Sequence, residues 1–171
     1  MGMIPFVERF PELAARETRT ATIPLGHDLP EGEYGFAELY CDDPGCDCRR
    51  VLIDVLRPET GWSKIWATIS YGWESVDFYR QWGVEDSDPI QITGPYLDPL
   101  NPQTRYSPAL LNLFRSVVLS PEYIARLERH YRIFRGSVDG EHKQRNSEET
   151  NRTVNRRKHL RDPRRRSRHS R

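Results

Sequence analysis

Alternating apolar and polar residues, many of them β-branched, recur in four stretches of the first half of the chain. These stretches are residues 18–24, 33–40, 50–56 and 64–71. An alternation with a period of two is typical of strands, and the glycines and prolines between the stretches are typical of turns. The pattern predicts an antiparallel meander of about four strands.

Helical spacing of apolar residues appears before and after these strands. The apolar series in residues 6–14 is interrupted by Pro11, which predicts a bent helical start. Towards the other end, Ser107 and Ser120 each precede a proline and an apolar stripe, as at the start of a helix. Gly136 is predicted to end the second of these helices. Strands followed by helices predict an α+β fold in which the sheet packs against C-terminal helices.

The apolar pattern fades after Gly136. Residues 137–171 contain only three aliphatic residues, Val138, Val154 and Leu160. Burying so few apolar side chains does not offset an ordering entropy of roughly 1–2 kcal/mol per residue. We therefore expect one α+β domain over residues 1–136 and a disordered tail over residues 137–171, and a chain of 171 residues is of the right length for a single domain.

Charge divides the chain at the same place. Residues 1–136 carry 14 lysines and arginines against 20 aspartates and glutamates, whereas residues 137–171 carry 12 against 5. Basic segments attract nucleic acid because each neutralised phosphate releases counterions, although no aromatic residue lies among these arginines to stack on bases. Nucleic acid is the first candidate partner, and a solvated extension is the alternative. The candidate contacts form two clusters: Arg156, Arg157 and Lys158, and then Arg164, Arg165 and Arg166.

The sequence shows neither a membrane-spanning stretch nor a targeting segment. The most apolar stretch, residues 108–119, contains Asn112 and Arg115 and is shorter than the roughly 18 apolar residues that a bilayer requires. The first residues lack the basic and apolar regions of a secretory signal. We expect a cytoplasmic protein that does not cross a membrane.

All three cysteines of the chain lie within eight residues, between the second and third predicted strands. Residues 43–46, with the sequence Asp-Pro-Gly-Cys, are typical of a type II turn, so the segment is expected to be a tight hairpin end. Cys46 and Cys48 are two residues apart and point to the same side of an extended segment, and the turn brings them back towards Cys41. Reducing conditions disfavour a disulfide, and three thiolates suit zinc. A zinc site at the hairpin tip is therefore predicted, with iron, a redox-active thiol cluster and three ordinary reduced cysteines as alternatives.

A tetrahedral zinc site needs a fourth ligand. His130 is the best-placed histidine, because it shares the apolar face of the last predicted helix and its ring is expected to point into the body. The alternative for His130 is a core histidine with a hydrogen bond to the backbone. Asp43, Asp47 or a water molecule could also complete the shell, and a water ligand would leave the open position of a catalytic zinc site.

The cysteine segment resembles a signature of small bacterial proteins for which no activity is established. The resemblance rests on Tyr-Cys41, four residues, Cys46-Asp-Cys48 and Arg-Arg-Val51, and extends through residues 71–74 to residues 129–131. It implies that the three cysteines form one unit with His130 as a partner, and it implies no reaction.

Taken together, these features predict a non-enzymatic binding module that zinc stabilises, with nucleic acid reached through the basic tail. A redox or metal sensor is the main alternative, and it requires thiols of low pKa beside Arg49 and Arg50. A zinc-dependent hydrolase is the third. Glycine-rich phosphate loops and a serine nucleophile motif are absent from the sequence, which leaves no sequence support for a nucleotide-dependent enzyme or a serine hydrolase.

Overall fold

The predicted strands form one antiparallel sheet, to which two short strands are added. The computed structural model describes residues 2–60, 64–81 and 93–161. The strands are β1 Met3–Pro5, β2 Arg19–Ile23, β3 Gly32–Cys41, β4 Arg50–Leu56, β5 Ile65–Gly72 and β6 Tyr96–Leu97. The helices are α1 Phe6–Arg9, α2 Pro11–Glu17, α3 Val76–Arg80, α4 Ser107–Leu113, continued by a π-helical turn over Phe114–Val118, and α5 Pro121–Arg161; a 3₁₀ turn covers Pro58–Thr60.

The sheet has the strand order β1-β3-β4-β5-β6, and β2 also pairs with β3. β1 and β2 lie along the same edge of β3: β1 pairs with residues 39–41 and β2 with residues 32–36. Helices α1 and α2 connect these two edge strands. The meander of β2 to β5 and the α+β class are confirmed, whereas β1 and β6 were not predicted.

One face of the sheet carries the large apolar side chains and packs against α4 and α5. On β3 this face presents Tyr34, Phe36, Glu38 and Tyr40, because side chains alternate along a strand. The ring of Phe36 contacts Phe114, and that of Tyr40 contacts Phe134 of α5. The buried core of the domain lies between these two layers.

The last helix extends beyond the predicted stop at Gly136, so that prediction is wrong: α5 continues to Arg161. Val138 is buried, and Arg9 of α1 contacts both Ser137 and Glu141. Residues 137–141 therefore pack on the body instead of belonging to a disordered tail. The disorder predicted for residues 162–171 lies outside the described residues.

None of the described helices is long and apolar enough to span a membrane.

Candidate metal centre

The three cysteines lie at the end of β3 and in the loop that leads to β4. Cys41 is the last residue of β3, and Arg50 is the first of β4. The amide of Cys46 donates a hydrogen bond to the carbonyl of Asp43 at 3.1 Å. Gly45 has φ of +85°, the left-handed conformation that the third position of a type II turn needs. The turn expected from the sequence is present.

The turn brings the three thiols together. The Sγ atoms of Cys41, Cys46 and Cys48 all lie within 4.8 Å of one another, and all three residues are partly buried and free of disulfides. Tetrahedral bonds of about 2.3 Å to zinc place sulfur atoms about 3.8 Å apart, so the thiols need to move inward by about 1 Å or less. In the described part of the chain, no other group of histidine, cysteine or acidic side chains converges in this way.

Arg135 of α5 binds the backbone of the first half of the cysteine loop, at Cys41 and Asp43. Its side chain is 9% exposed, and one guanidinium nitrogen donates to the carbonyls of Cys41 at 3.3 Å and Asp43 at 2.8 Å. Its other terminal nitrogen donates to Asp139 at 2.6 Å. A metal with three thiolates carries a net negative charge, and a buried guanidinium beside the loop offsets that charge.

The second half of the loop is held by Asp47 and Arg49. The carboxylate of Asp47 accepts hydrogen bonds from Arg49 and, at 3.1 Å, from the hydroxyl of Tyr131 on α5. Arg49 also donates to Glu74 at 2.8 Å, and its carbonyl accepts from Tyr79 at 2.7 Å. Asp47 therefore already has partners and does not join the thiols. Hydrogen bonding from Arg49 and Tyr131 outweighs burial and lowers the pKa of Asp47.

Burial weakens the acidity of two of the thiols, those of Cys41 and Cys48. It raises the pKa of Cys41, and together with the neighbouring thiols it raises the pKa of Cys48 to about 12. The backbone of Arg50 lowers the pKa of Cys48 through a hydrogen bond but does not outweigh burial. The guanidinium groups are engaged elsewhere: Arg49 pairs with two carboxylates, and Arg50 binds Ser70 and lies over the ring of Tyr79. The low pKa that a redox sensor requires is not supported at these two cysteines. A metal ion would bind here by displacing thiol protons.

His130 does not lie with the cysteines. Its ring does point into the body and is 1% exposed, but Nδ1 lies 2.7 Å from Oε2 of Glu38 and Nε2 lies 3.0 Å from Oε2 of Glu17. The ring also stacks on Phe6, with centroids 4.4 Å apart. Both ring nitrogens thus face carboxylates, so the structure does not provide His130 as the fourth ligand. Its environment is a buried polar network, in which Tyr40 also donates to Glu38.

The first of the two basic clusters proposed to contact nucleic acid lies at the far end of α5. Arg156 is exposed, and Arg157 and Lys158 belong to the same helix. Arg164, Arg165 and Arg166 lie outside the described residues. The first basic cluster therefore starts about 15 residues beyond Glu141, where α5 contacts Arg9 of the body, which is roughly 22 Å along a helix.

No protein-family model, curated protein or solved structure matches the chain. The resemblance to small bacterial proteins stays a prediction, and the function is inferred from the site alone.

Three soft sulfur donors on a preformed turn can bind one soft or borderline metal ion. The buried guanidinium of Arg135 lies beside them. The sequence identified the three cysteines but not Arg135 and Tyr131. Both residues follow His130 on the same helix, and Tyr131 belongs to the predicted apolar stripe of that helix. A prediction that this helix crosses the hairpin end would have pointed to Tyr131. Nothing in the sequence marked Arg135.

Proposed function

We propose that the chain is a metal-binding module in which Cys41, Cys46 and Cys48 hold one zinc ion as thiolates. The observation that carries the proposal is the convergence of the three Sγ atoms within 4.8 Å on a loop that other residues already hold in place. A zinc ion would tie the end of β3 to the start of β4 and fix the surface that this loop presents to a partner. We propose that the zinc ion serves to bind a partner through this surface and not to catalyse a reaction.

The fourth position on the zinc goes to a water molecule or to a group from a partner. In the described part of the chain, no histidine or carboxylate joins the three thiols. Hydrolysis on a zinc-bound water also needs a base beside the metal, and Asp47, the acid between Cys46 and Cys48 in the sequence, is engaged by Arg49 and Tyr131. These contacts favour the binding module over the hydrolase.

Metal content tests the proposal directly. Protein purified without added metal is analysed for zinc and iron, together with Cys46→Ser and the matched loop variant Asp43→Asn. We expect about one zinc per chain in the parent and in Asp43→Asn, and none in Cys46→Ser. Iron in place of zinc would correct the identity of the metal. A parent chain that contains no metal and does not take up Zn²⁺ would refute the proposal.

We also propose that the partner is a nucleic acid, which the basic clusters contact. The observation that favours this role is that the first cluster lies on α5, which also carries the exposed Arg145, Arg152 and Arg156 beyond its contacts with an acidic body. The variant to test is a deletion of residues 153–171, because residues 137–141 contact the body and must stay. Binding to a 20-base-pair DNA duplex and to single-stranded RNA is measured against salt concentration.

The expected result is loss of binding on deletion and a steep decrease in the parent's affinity as salt rises, since each phosphate contact releases counterions. A full-length variant with glutamine at both clusters is the matched control and should also lose binding. Equal affinity of the parent and the deleted chain would show that the clusters are not the contact.

A further inference from the structure

A cavity of about 670 Å³ opens on the side of the sheet away from α4 and α5. Its floor is formed by the residues of β3 that alternate with the large core side chains, together with residues of β4 and β5. Its wall is formed by the α1–α2 segment and the start of β2. The lining residues are Pro5, Val7, Pro11, Ala14, Ala15, Thr18, Thr20, Gly35, Ala37, Leu39, Asp54, Leu56 and Ile65.

The space exists because both sides present small side chains. Gly35 and Ala37 lie on the floor, and on α2 Ala14 and Ala15 face them from the wall. The floor residue Ala37 is only half-buried although it lies within a five-residue pairing of β3 with β4. Val7, Ala15 and Thr20 are exposed, so the volume is a groove that opens to solvent and a ligand can enter it. It falls within the range of about 300–1,000 Å³ that is typical of small-molecule sites.

Asp54 is the charged residue in this apolar lining. It pairs with Ala37 in the register of β3 and β4, so its side chain shares the floor. Oδ1 accepts a hydrogen bond from the hydroxyl of Thr68 at 2.7 Å. In the described part of the chain, no lysine, arginine or histidine forms an ion pair with it. Burial, with a further contribution from Asp98, raises the pKa of Asp54.

We propose that this cavity binds a small apolar molecule that carries a protonated amine, with the ammonium group against Asp54. The apolar walls bury the hydrocarbon part of such a ligand, and its ammonium supplies the cation that Asp54 lacks. A negatively charged ligand would be repelled by Asp54 and the nearby Asp98, and an uncharged one would leave the carboxylate without a counterion. The site is separate from the cysteine cluster and does not depend on a bound metal.

The test compares three probes of one chain length: n-octylammonium, 1-octanol and octanoate. Binding is measured by isothermal titration calorimetry at pH 7 on the full chain. We expect saturable binding of octylammonium, at least tenfold tighter than that of octanoate. Asp54→Asn should weaken octylammonium at least tenfold and leave octanol unchanged. Asp28→Asn, at an exposed acid outside the cavity, is the matched control and should change neither.

Ala15→Phe tests the location of the site without disturbing the core, because Ala15 is exposed on α2 and faces the cavity mouth. It should weaken the binding of octylammonium and octanol alike, while circular dichroism and the melting temperature stay near those of the parent. The proposal is overturned if octylammonium shows no saturable binding at millimolar concentration. It is also overturned if Asp54→Asn leaves octylammonium binding intact or if Ala15→Phe has no effect on it.

Discussion

Replacing His130 by leucine should cost the protein a large part of its stability. The imidazole is 1% exposed and is in contact with the carboxylate of Glu38, which is also buried. Among the described residues, Oε1 of Glu38 has no hydrogen-bond partner, and Oε2 is shared between His130 and Tyr40. Leucine fills a similar volume, so the main effect is a buried Glu38 carboxyl group that has lost the imidazole as its hydrogen-bond partner. Breaking a buried pair from one side costs about 3–5 kcal/mol.

The assay is equilibrium unfolding in urea. If the slope is about 2 kcal/mol per molar, a loss of about 4 kcal/mol lowers the unfolding midpoint by about 2 M. The control is the double variant Glu38→Leu/His130→Leu, in which the buried carboxyl group is also removed. It should be clearly more stable than His130→Leu, because the Tyr40 hydroxyl can donate its one proton to the carbonyl of Leu127, which lies 3.0 Å away, and no buried carboxyl group is left without a partner.

Two outcomes would refute this reasoning. A loss of less than about 1 kcal/mol in His130→Leu would show that Glu38 reaches water or another partner when the ring is absent. A double variant no more stable than the single one would show that the loss comes from packing on Phe6 rather than from the unpaired carboxyl group.

Three further predictions concern the helix α5 and its contacts. At Glu17 the hydrogen bond from His130 and the charges of two arginines outweigh burial and lower the pKa below 4.5. The stability that ionised Glu17 contributes is therefore present above pH 4.5 and is lost as the pH falls through the lowered pKa. Glu17→Gln should therefore be less stable than the parent at pH 7, and the melting temperatures of the two should converge as the pH falls below the lowered pKa. Gly136→Ala should stabilise the chain by about 0.5–1 kcal/mol in urea, because the position is helical and a Cβ there meets nothing within 4 Å. Arg135→Met should weaken zinc binding about 10- to 100-fold in chelator competition with little change in the far-ultraviolet circular dichroism, and unchanged affinity would show that the guanidinium does not support the site.

The sheet was predictable because its signal is local. Strands β2 to β5 are long enough for the period of two to appear, and the Asp-Pro-Gly-Cys turn specifies its own geometry at Gly45. β1 and β6 have three and two residues, too few for any periodicity. They exist because the edges of β3 and β5 offer unpaired backbone groups, which no local pattern reports.

The end of α5 was mispredicted for a different reason. Glycine in a helix costs about 1 kcal/mol relative to alanine, which is a preference and not a stop. The burial of Val138 and the contacts of Arg9 with Ser137 and Glu141 offset that cost. Arg9 lies 128 residues away from Ser137, so the sequence near Gly136 could not show them.

His130 shows how much of the candidate site depended on long-range contacts. Helical spacing correctly placed its ring inside the body, but the groups that meet the ring, Glu38 and Glu17, lie 92 and 113 residues away in sequence. Either carboxylate competes with a metal for an imidazole nitrogen. A buried histidine on an apolar face is thus insufficient to assign a ligand.

The contacts of α5 with the cysteine loop limit what a bound metal would contribute to stability. Arg135 and Tyr131 on α5 already tie down both halves of the cysteine loop, and the core between the sheet and α5 is complete without the thiols. A metal bound to Cys41, Cys46 and Cys48 therefore acts on a loop whose ordering cost is largely met by other residues. The metal should therefore change the rigidity and charge of the hairpin tip only. A small zinc-finger domain differs, because it unfolds when the metal is removed. This is why the loop surface, and not the stability of the body, is the property that we expect metal loading to control.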